Sequence, residues 1–301
     1  MTKWHTWTFD CPDGWSHHGL ATLPDGTVVG YHPKDRALVF FDRDGAVVRT
    51  TPCDAIEAHD IAVDASTLWI ADCGNKLCLS RTGKVFVNPP KEESVGQVLQ
   101  VDLDGNTLRR IGAWDDEPYL PTGVAVDERG IWIADGYGSN RVHLVAPDDT
   151  VLITLDGFDC PHGIAIDRRG LEPLLYIAER GAHRIAVHDL DGGFVRHAGV
   201  GDLIAPCAMT TVGDRLYVAD LVARVTVLDA DDALVEHIGA DGDAAAREGW
   251  PNALDDGRSV PPTVPAGRFN SPHGITTVGN DVVVTEWLLG GRWVRLSASR
   301  P

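Results

Sequence analysis

Several absences narrow the field before any motif is read. No run of 18 apolar residues occurs in the 301-residue chain, so nothing in it is long enough to cross a bilayer as a helix, and no membrane partner is expected. Basic charge is scarce. With 26 Lys and Arg against 44 Asp and Glu the net charge is −18, the wrong sign for gripping the phosphates of DNA or RNA. The six cysteines (Cys11, Cys53, Cys73, Cys78, Cys160 and Cys207) contain no C-x-x-C pair, which argues against a cysteine-based zinc site. The opening segment, MTKWHTWTFDCPDG, lacks the apolar stretch of a secretory signal, so the expectation is a cytoplasmic protein whose cysteines remain thiols. No long helical period separates the apolar segments, which excludes leucine-rich and helical solenoids.

What is present is repetition. A unit of about 40 residues recurs, the spacing of a propeller or solenoid. It reads Pro-x-Gly-hydrophobic-Ala-hydrophobic-Asp, a turn, aromatic-Ile-Ala-Asp/Glu, then a loop and Arg-Val/Ile. Its clearest copies are PTGVAVD (121–127) with IWIADGYGSNRV (131–142) and PHGIAID (161–167) with LYIAERGAHRI (175–185). AHDIAVD (58–64), PCAMTTV (206–212) and PHGITTV (272–278) open three more, and HHGLATL (17–23) opens a worn sixth. Period-two alternation bounded by DG, GD and GN turns makes each unit a small antiparallel sheet. Six such sheets set radially give an all-β, six-bladed β-propeller. Although this length often signals two domains, a closed ring makes residues 1–301 one domain. The last unit runs out of chain near Leu296, so the alternating segment Lys3–Phe9 is expected to supply its outer strand and fasten the ring. Two segments exceed the repeat: 80–96 in blade 2, and the Gly/Pro/Asp-rich excursion 239–270 between blades 5 and 6.

The first strand of each unit should line the channel. The residue before the Gly position is then His18, His59, Thr122, His162, Cys207 and His273: four histidines in six, in a chain where His is 12 of 301. Equivalent repeat positions are equivalent in space. His59, His162 and His273 fall on alternate blades, which places three imidazoles around one axis. Three neutral imidazoles with an open fourth position suit a catalytic divalent metal, zinc foremost. His18 breaks the three-fold set and, with Cys207, is read as a contact for a small-molecule substrate. Tyr137 and Arg180 depart from the repeat in the turns leaving the second strands of blades 3 and 4. They are candidates for a proton-transfer group and an anion clamp. The recurring acid at the end of each second strand (Asp72, Asp135, Glu179, Asp220, Glu286) is read as a turn-stabilising contact. Trp69, Trp132, Tyr176 and Tyr217 share one repeat position and are read as packing between sheets.

The repeat resembles the NHL repeat over essentially the whole chain. Within it, AHDIAVD, PTGVAVDERGIWIADGYGSNRV, PHGIAID…YIAERGAHRI and NSPHGI resemble the peptidyl-α-hydroxyglycine α-amidating lyases. The resemblance implies a six-bladed propeller whose channel zinc, held by His59, His162 and His273, helps cleave a hemiaminal to an amide and glyoxylate. It places the family's active-site Tyr on Tyr137 and one substrate-binding Arg on Arg180. A second family Arg falls on Pro33, with Arg36 nearby but out of register. The Asp of the family's structural calcium site is replaced by Gly274, and a disulfide Cys by Gly138. These departures imply a retained metal and a changed substrate, a small polar carboxylate or carbonyl compound. Two other classes are weighed. A metal-dependent hydrolase or lactonase of the six-bladed type needs Glu, Asn or Asp ligands where this column offers His. A non-enzymatic NHL scaffold needs no metal.

Overall fold

The computed structural model describes residues 3–8, 11, 13–76, 78–88, 94–114 and 118–297. Six four-stranded antiparallel sheets stand in a ring, with the inner strand of each blade against those of its two neighbours. Blade 1 is built from Leu20–Thr22, Val28–Tyr31, Ala37–Phe41 and Val47–Pro52. Blade 2 comprises Ala58–Asp64, Thr67–Asp72, Gln97–Asp102 and Thr107–Ile111. Blades 3, 4 and 5 begin at Gly123–Asp127, Pro161–Asp167 and Pro206–Val212. Blade 6 takes Pro272–Val278, Asp281–Glu286 and Arg292–Ser297 from the end of the chain, and its outer strand, Lys3–Thr8, from the beginning. Lys3 lies opposite Ser297 and Trp7 opposite Trp293. The two ends of the chain thus share one sheet, and ring opening requires breaking that ladder. Phe9 lies outside the described residues.

Local sequence explains the blades. The hairpin from third to fourth strand reads Asp-x-Asp-Gly in blades 1, 2 and 4, at Asp42–Gly45, Asp102–Gly105 and Asp189–Gly192. The first Asp accepts two backbone N–H groups within its own turn, as Asp42 does from Asp44 and Ala46 at 2.9 Å. The Gly adopts a left-handed conformation (φ 87° at Gly45, 81° at Gly105, 91° at Gly192) that costs other residues strain. A register shift follows at the same place in all five of the blades whose third and fourth strands are consecutive in the chain. Much of the acid excess is therefore turn chemistry.

Apolar residues of adjacent blades pack between the sheets. Trp69 sits among residues of blades 2 and 3, Trp132 between blades 3 and 4, and Tyr176 between 4 and 5, while Tyr217 packs on the seam of 5 and 6. The seam of blades 6 and 1 is the most aromatic. Trp293 is fully buried 4.4 Å from Phe41, which stacks on Trp7 at 5.6 Å. It fits because residue 30 is Gly, where a Cβ would come within 2.3 Å of the Trp293 ring. The two excursions carry structure of their own. Cys78–Leu79 pairs with Phe86–Val87, and the long connection holds a hairpin of Ala253–Asp255 and Arg258–Val260. Part of the first excursion, 89–93, lies outside the described residues. No helix among the described residues is long and apolar enough to cross a membrane.

Emptying the seam should be costly. Trp293→Ala is expected to lower stability by about 3–5 kcal/mol, the range for truncating a buried large aromatic, measured as a shift of the urea unfolding midpoint. A loss under about 1 kcal/mol would show that this seam does not hold the ring closed.

Candidate metal centre

The acids that end the second strands fix the start of the inner strands. Asp72 is fully buried and accepts from the backbone N–H groups of Ile56 (2.8 Å) and Glu57 (2.9 Å). Asp135 accepts from Leu120 N–H at 2.7 Å and Glu179 from Asp159 N–H at 3.3 Å. Asp220 accepts from Ala205 N–H at 2.6 Å, and Glu286 from Asn270 and Ser271 N–H at 2.5 and 3.0 Å. The bonded residues lie two or three positions before His59, Thr122, His162, Cys207 and His273. In blades 4, 5 and 6 the same acid also pairs with an arginine: Glu179 with Arg184, Asp220 with Arg224, and Glu286 with Arg292. In blade 3 Arg141 reaches Asp156 instead, at 2.8 Å. These acids are latches, and what they hold in place is the channel column.

The latched strands bring the alternate-blade histidines together. Ring centroids lie 4.6 Å apart for His59 and His162, 4.7 Å for His59 and His273, and 5.0 Å for His162 and His273. All are buried. His59 donates its Nδ1–H to the Thr122 carbonyl at 2.6 Å, and His162 donates to the Cys207 carbonyl at 2.9 Å. Each of these carbonyls belongs to the column residue of the next blade. The bonds fix the tautomer and leave Nε2 as a lone pair facing the axis. Burial holds His59, His162 and His273 well below the ordinary imidazole range, so they are neutral, the form that ligates metals.

The fourth imidazole in the cluster is His17, which the repeat alignment passes over in favour of His18. His17 lies 4.6 Å from His273 and 4.7 Å from His59 between ring centroids. Its Nδ1 makes a very short contact with Glu57 Oε1. Burial pushes the Glu57 carboxyl up and the His17 imidazole down, each toward its neutral form. His18 turns the other way, 5.3 Å from the Trp293 ring, with Nε2 3.0 Å from Ser16 Oγ and Nδ1 3.0 Å from the Gly19 carbonyl. The cause is local. The inner strand of blade 1 begins only at Leu20, and Trp15–Ser16 pairs instead with Leu288–Leu289 of blade 6. The histidines thus lie in the short link between two sheets, where period-two register no longer decides which side chain faces the axis. Nothing in the sequence beyond the doubled His marks this.

Tyr137 stands in the middle. Its hydroxyl is 3.0 Å from His162 Nε2, 3.3 Å from His59 Nε2 and 3.4 Å from His17 Nε2, and receives Arg180 Nη1–H at 3.1 Å. Burial pushes the phenol up while the Arg180 charge opposes it. Cys207 is buried; its thiol donates to the Ala205 carbonyl at 3.6 Å. Arg36 is exposed on the turn after Pro33, away from the cluster. Taking one ligand atom from each residue, His17, His59 and His273 lie within 4.8 Å of one another, as do His162, Cys207 and His273, and also His17, Glu57 and Cys73. His59 and His162 do not share such a group: His59 joins His273 with His17, and His162 joins His273 with Cys207. At Gly274 a Cβ would meet Thr285 Oγ1 at 2.6 Å and the His18 carbonyl at 2.8 Å, so packing leaves no room for the Asp that a calcium site of the resembled type requires. Gly138 is equally confined, with a Cβ 2.2 Å from the Pro118 carbonyl, and all six cysteines are free.

A cleft of about 220 Å³ opens beside the cluster at one mouth of the ring, lined by Trp15, His17, His18, Tyr31, Glu57 and Phe86 among others. The two excursions meet nearby, where Ser259 N–H donates to the Lys84 carbonyl at 2.9 Å.

No protein-family model matches the chain, and no curated protein matches it in sequence. Its likeness to known proteins lies in the fold. A solved streptogramin B lyase is 15% identical over 99% of this chain and 98% of its own, with a TM-score of 0.64. Virginiamycin B lyase from Staphylococcus aureus is 13% identical over 99% of this chain and 100% of its own, at a TM-score of 0.61. A gluconolactonase from Xanthomonas campestris is 17% identical over 97% and 98%, at 0.64. Identities this low establish a shared propeller fold and nothing finer.

The latches should be testable apart from any chemistry. Glu286→Ala leaves the half-buried Arg292 without its partner and frees two buried backbone donors. The expected loss is about 3–5 kcal/mol in denaturant unfolding, the cost of breaking a buried charge pair, against under 1 kcal/mol for the exposed pair control Asp104→Ala.

Proposed function

We propose that this protein is a metal-dependent, lyase-like enzyme acting on a small polar carboxylate or carbonyl compound at the mouth of the propeller channel. The observation that carries the reading is a deficit of protons at the axis. His273 is buried with neither ring nitrogen hydrogen-bonded. The Nε2 atoms of His59 and His162, both acceptors by virtue of their Nδ1–H bonds, face one tyrosine hydroxyl that has a single proton to give. Crowded lone pairs and an orphaned imidazole in a buried site are costly unless a cation sits among them. Such a donor set suits zinc. His59, His162 and His273 are the proposed ligands, with His17 and Cys207 within reach to complete or adjust the set.

A divalent ion held there supplies Lewis acidity toward a substrate oxygen. The chain's own residues do the rest. Tyr137, kept protonated by burial, presents its O–H at the axis and can deliver a proton to an oxygen that gains charge as a bond breaks. Arg180 positions that hydroxyl through Nη1 and carries a charge able to hold an anionic group of the substrate. The cleft beside His17 is large enough to admit a small molecule. The lyases among the fold neighbours support an elimination, and the Staphylococcus aureus enzyme has a catalytically inactive His-to-Ala form, solved with quinupristin. The gluconolactonase neighbour keeps a hydrolase in view, but the imidazoles gathered at this axis are not the oxygen donors that calcium takes.

Elemental analysis of the purified protein decides the point. About one zinc per chain is expected, falling at least tenfold in His162→Ala while the circular dichroism spectrum is unchanged. A folded protein free of metal under metal-replete growth would overturn the reading.

A further inference from the structure

Positive charge gathers at this mouth without an acid to match it. Lys76 is half-buried in the loop after the second strand of blade 2, and its Nζ sits 3.7 Å above the centre of the Tyr137 ring. The Arg180 guanidinium lies 5.2 Å from the centre of the same ring and donates to its hydroxyl. Neither side chain makes an ion pair among the described residues, in a chain with 18 more acids than bases. The nearest acid, Glu57, is engaged elsewhere: one oxygen bonds His17 and the other accepts the backbone N–H of Lys76 at 3.1 Å. Lys34, which lines the cleft beside His17, is the contrast, since Asp13 neutralises it at 2.6 Å. The aromatic face steadies the Lys76 ammonium but cancels no charge. Two cations partly withdrawn from water beside one ring, with only a neutral phenol between them, form half of a binding site whose other half is anionic.

We propose that Lys76 and Arg180 form a two-cation cradle across Tyr137, and that the ligand of this site is a small dianion of the dicarboxylate kind. This rests on the reading of the channel mouth as a substrate site and narrows its substrate class. One carboxylate takes the Arg180 fork, which matches its planar geometry, and the second takes the Lys76 ammonium, a point charge that accepts varied geometry. A monoanion uses one arm only. Discrimination between the two therefore depends on Lys76.

The test is calorimetric, on the metal-replete protein, with malonate and acetate as probes and zinc content measured on each sample. Wild type should bind malonate at least tenfold more tightly than acetate. Lys76→Met should weaken malonate about tenfold and acetate less than twofold, and Lys76→Arg should restore most of the malonate affinity. If Lys76→Met binds malonate as wild type does, or if wild type does not prefer malonate, the cradle is refuted even where zinc is present. If the malonate preference and its dependence on Lys76 hold in protein that lacks zinc, the cradle stands and the metal reading fails. Should Lys76→Met not fold, Lys76→Gln replaces it, with the same tenfold and twofold limits.

Discussion

The arrangement depends on one repeated contact: in blades 2 to 6 a buried carboxylate at the end of the second strand captures the backbone just ahead of the inner strand of the same blade. Asp72, Asp135, Glu179, Asp220 and Glu286 each bind N–H groups that would otherwise be buried without partners. A backbone segment with no freedom to slide presents its next side chain at a fixed height in the channel. The column at the axis is therefore a property of the repeat itself. What stands there differs from blade to blade: His59, His162 and His273 on alternate blades, Thr122 and Cys207 between them, and His17 from the link into blade 1.

Neighbouring blades add a second level of constraint. The His59 and His162 rings are oriented by carbonyls of the blades that follow them, so each imidazole is held by two sheets. The same economy governs what is excluded. At Gly274 and Gly138 the surrounding atoms leave no space for a Cβ, and those two positions remove the acid of a calcium site and the cysteine of a disulfide. Close packing thus shapes the site as much as the polar groups do.

Charge is distributed with a similar division of labour. Acids fill the hairpin turns and the latches, where backbone N–H groups and arginines consume them. At the channel mouth the balance inverts, and Lys76 and Arg180 flank one tyrosine without acid partners among the described residues. The total of −18 describes the rim and not the site. Long-range repulsion of an anion by that rim is screened within about 8 Å at physiological salt, whereas the local cations act at contact distance.

The sequence by itself determined the blade count, the closure of the ring by Lys3–Thr8, and the meeting of His59, His162 and His273. Alternation, Asp-Gly turns and repeat register are local signals, and a ring of equivalent blades converts them directly into position. Tyr137 and Arg180 were legible as breaks in that register. Only the tertiary structure decided that His17 and not His18 faces the axis, because a link between blades 6 and 1, outside any long strand, sets its direction. Only the tertiary structure placed Lys76 on the Tyr137 face, since its loop follows no repeat. It also put Arg36 out in solvent, away from the cluster. Periodicity fixes what each blade does in the same way; the exceptions are settled by neighbours that no period encodes.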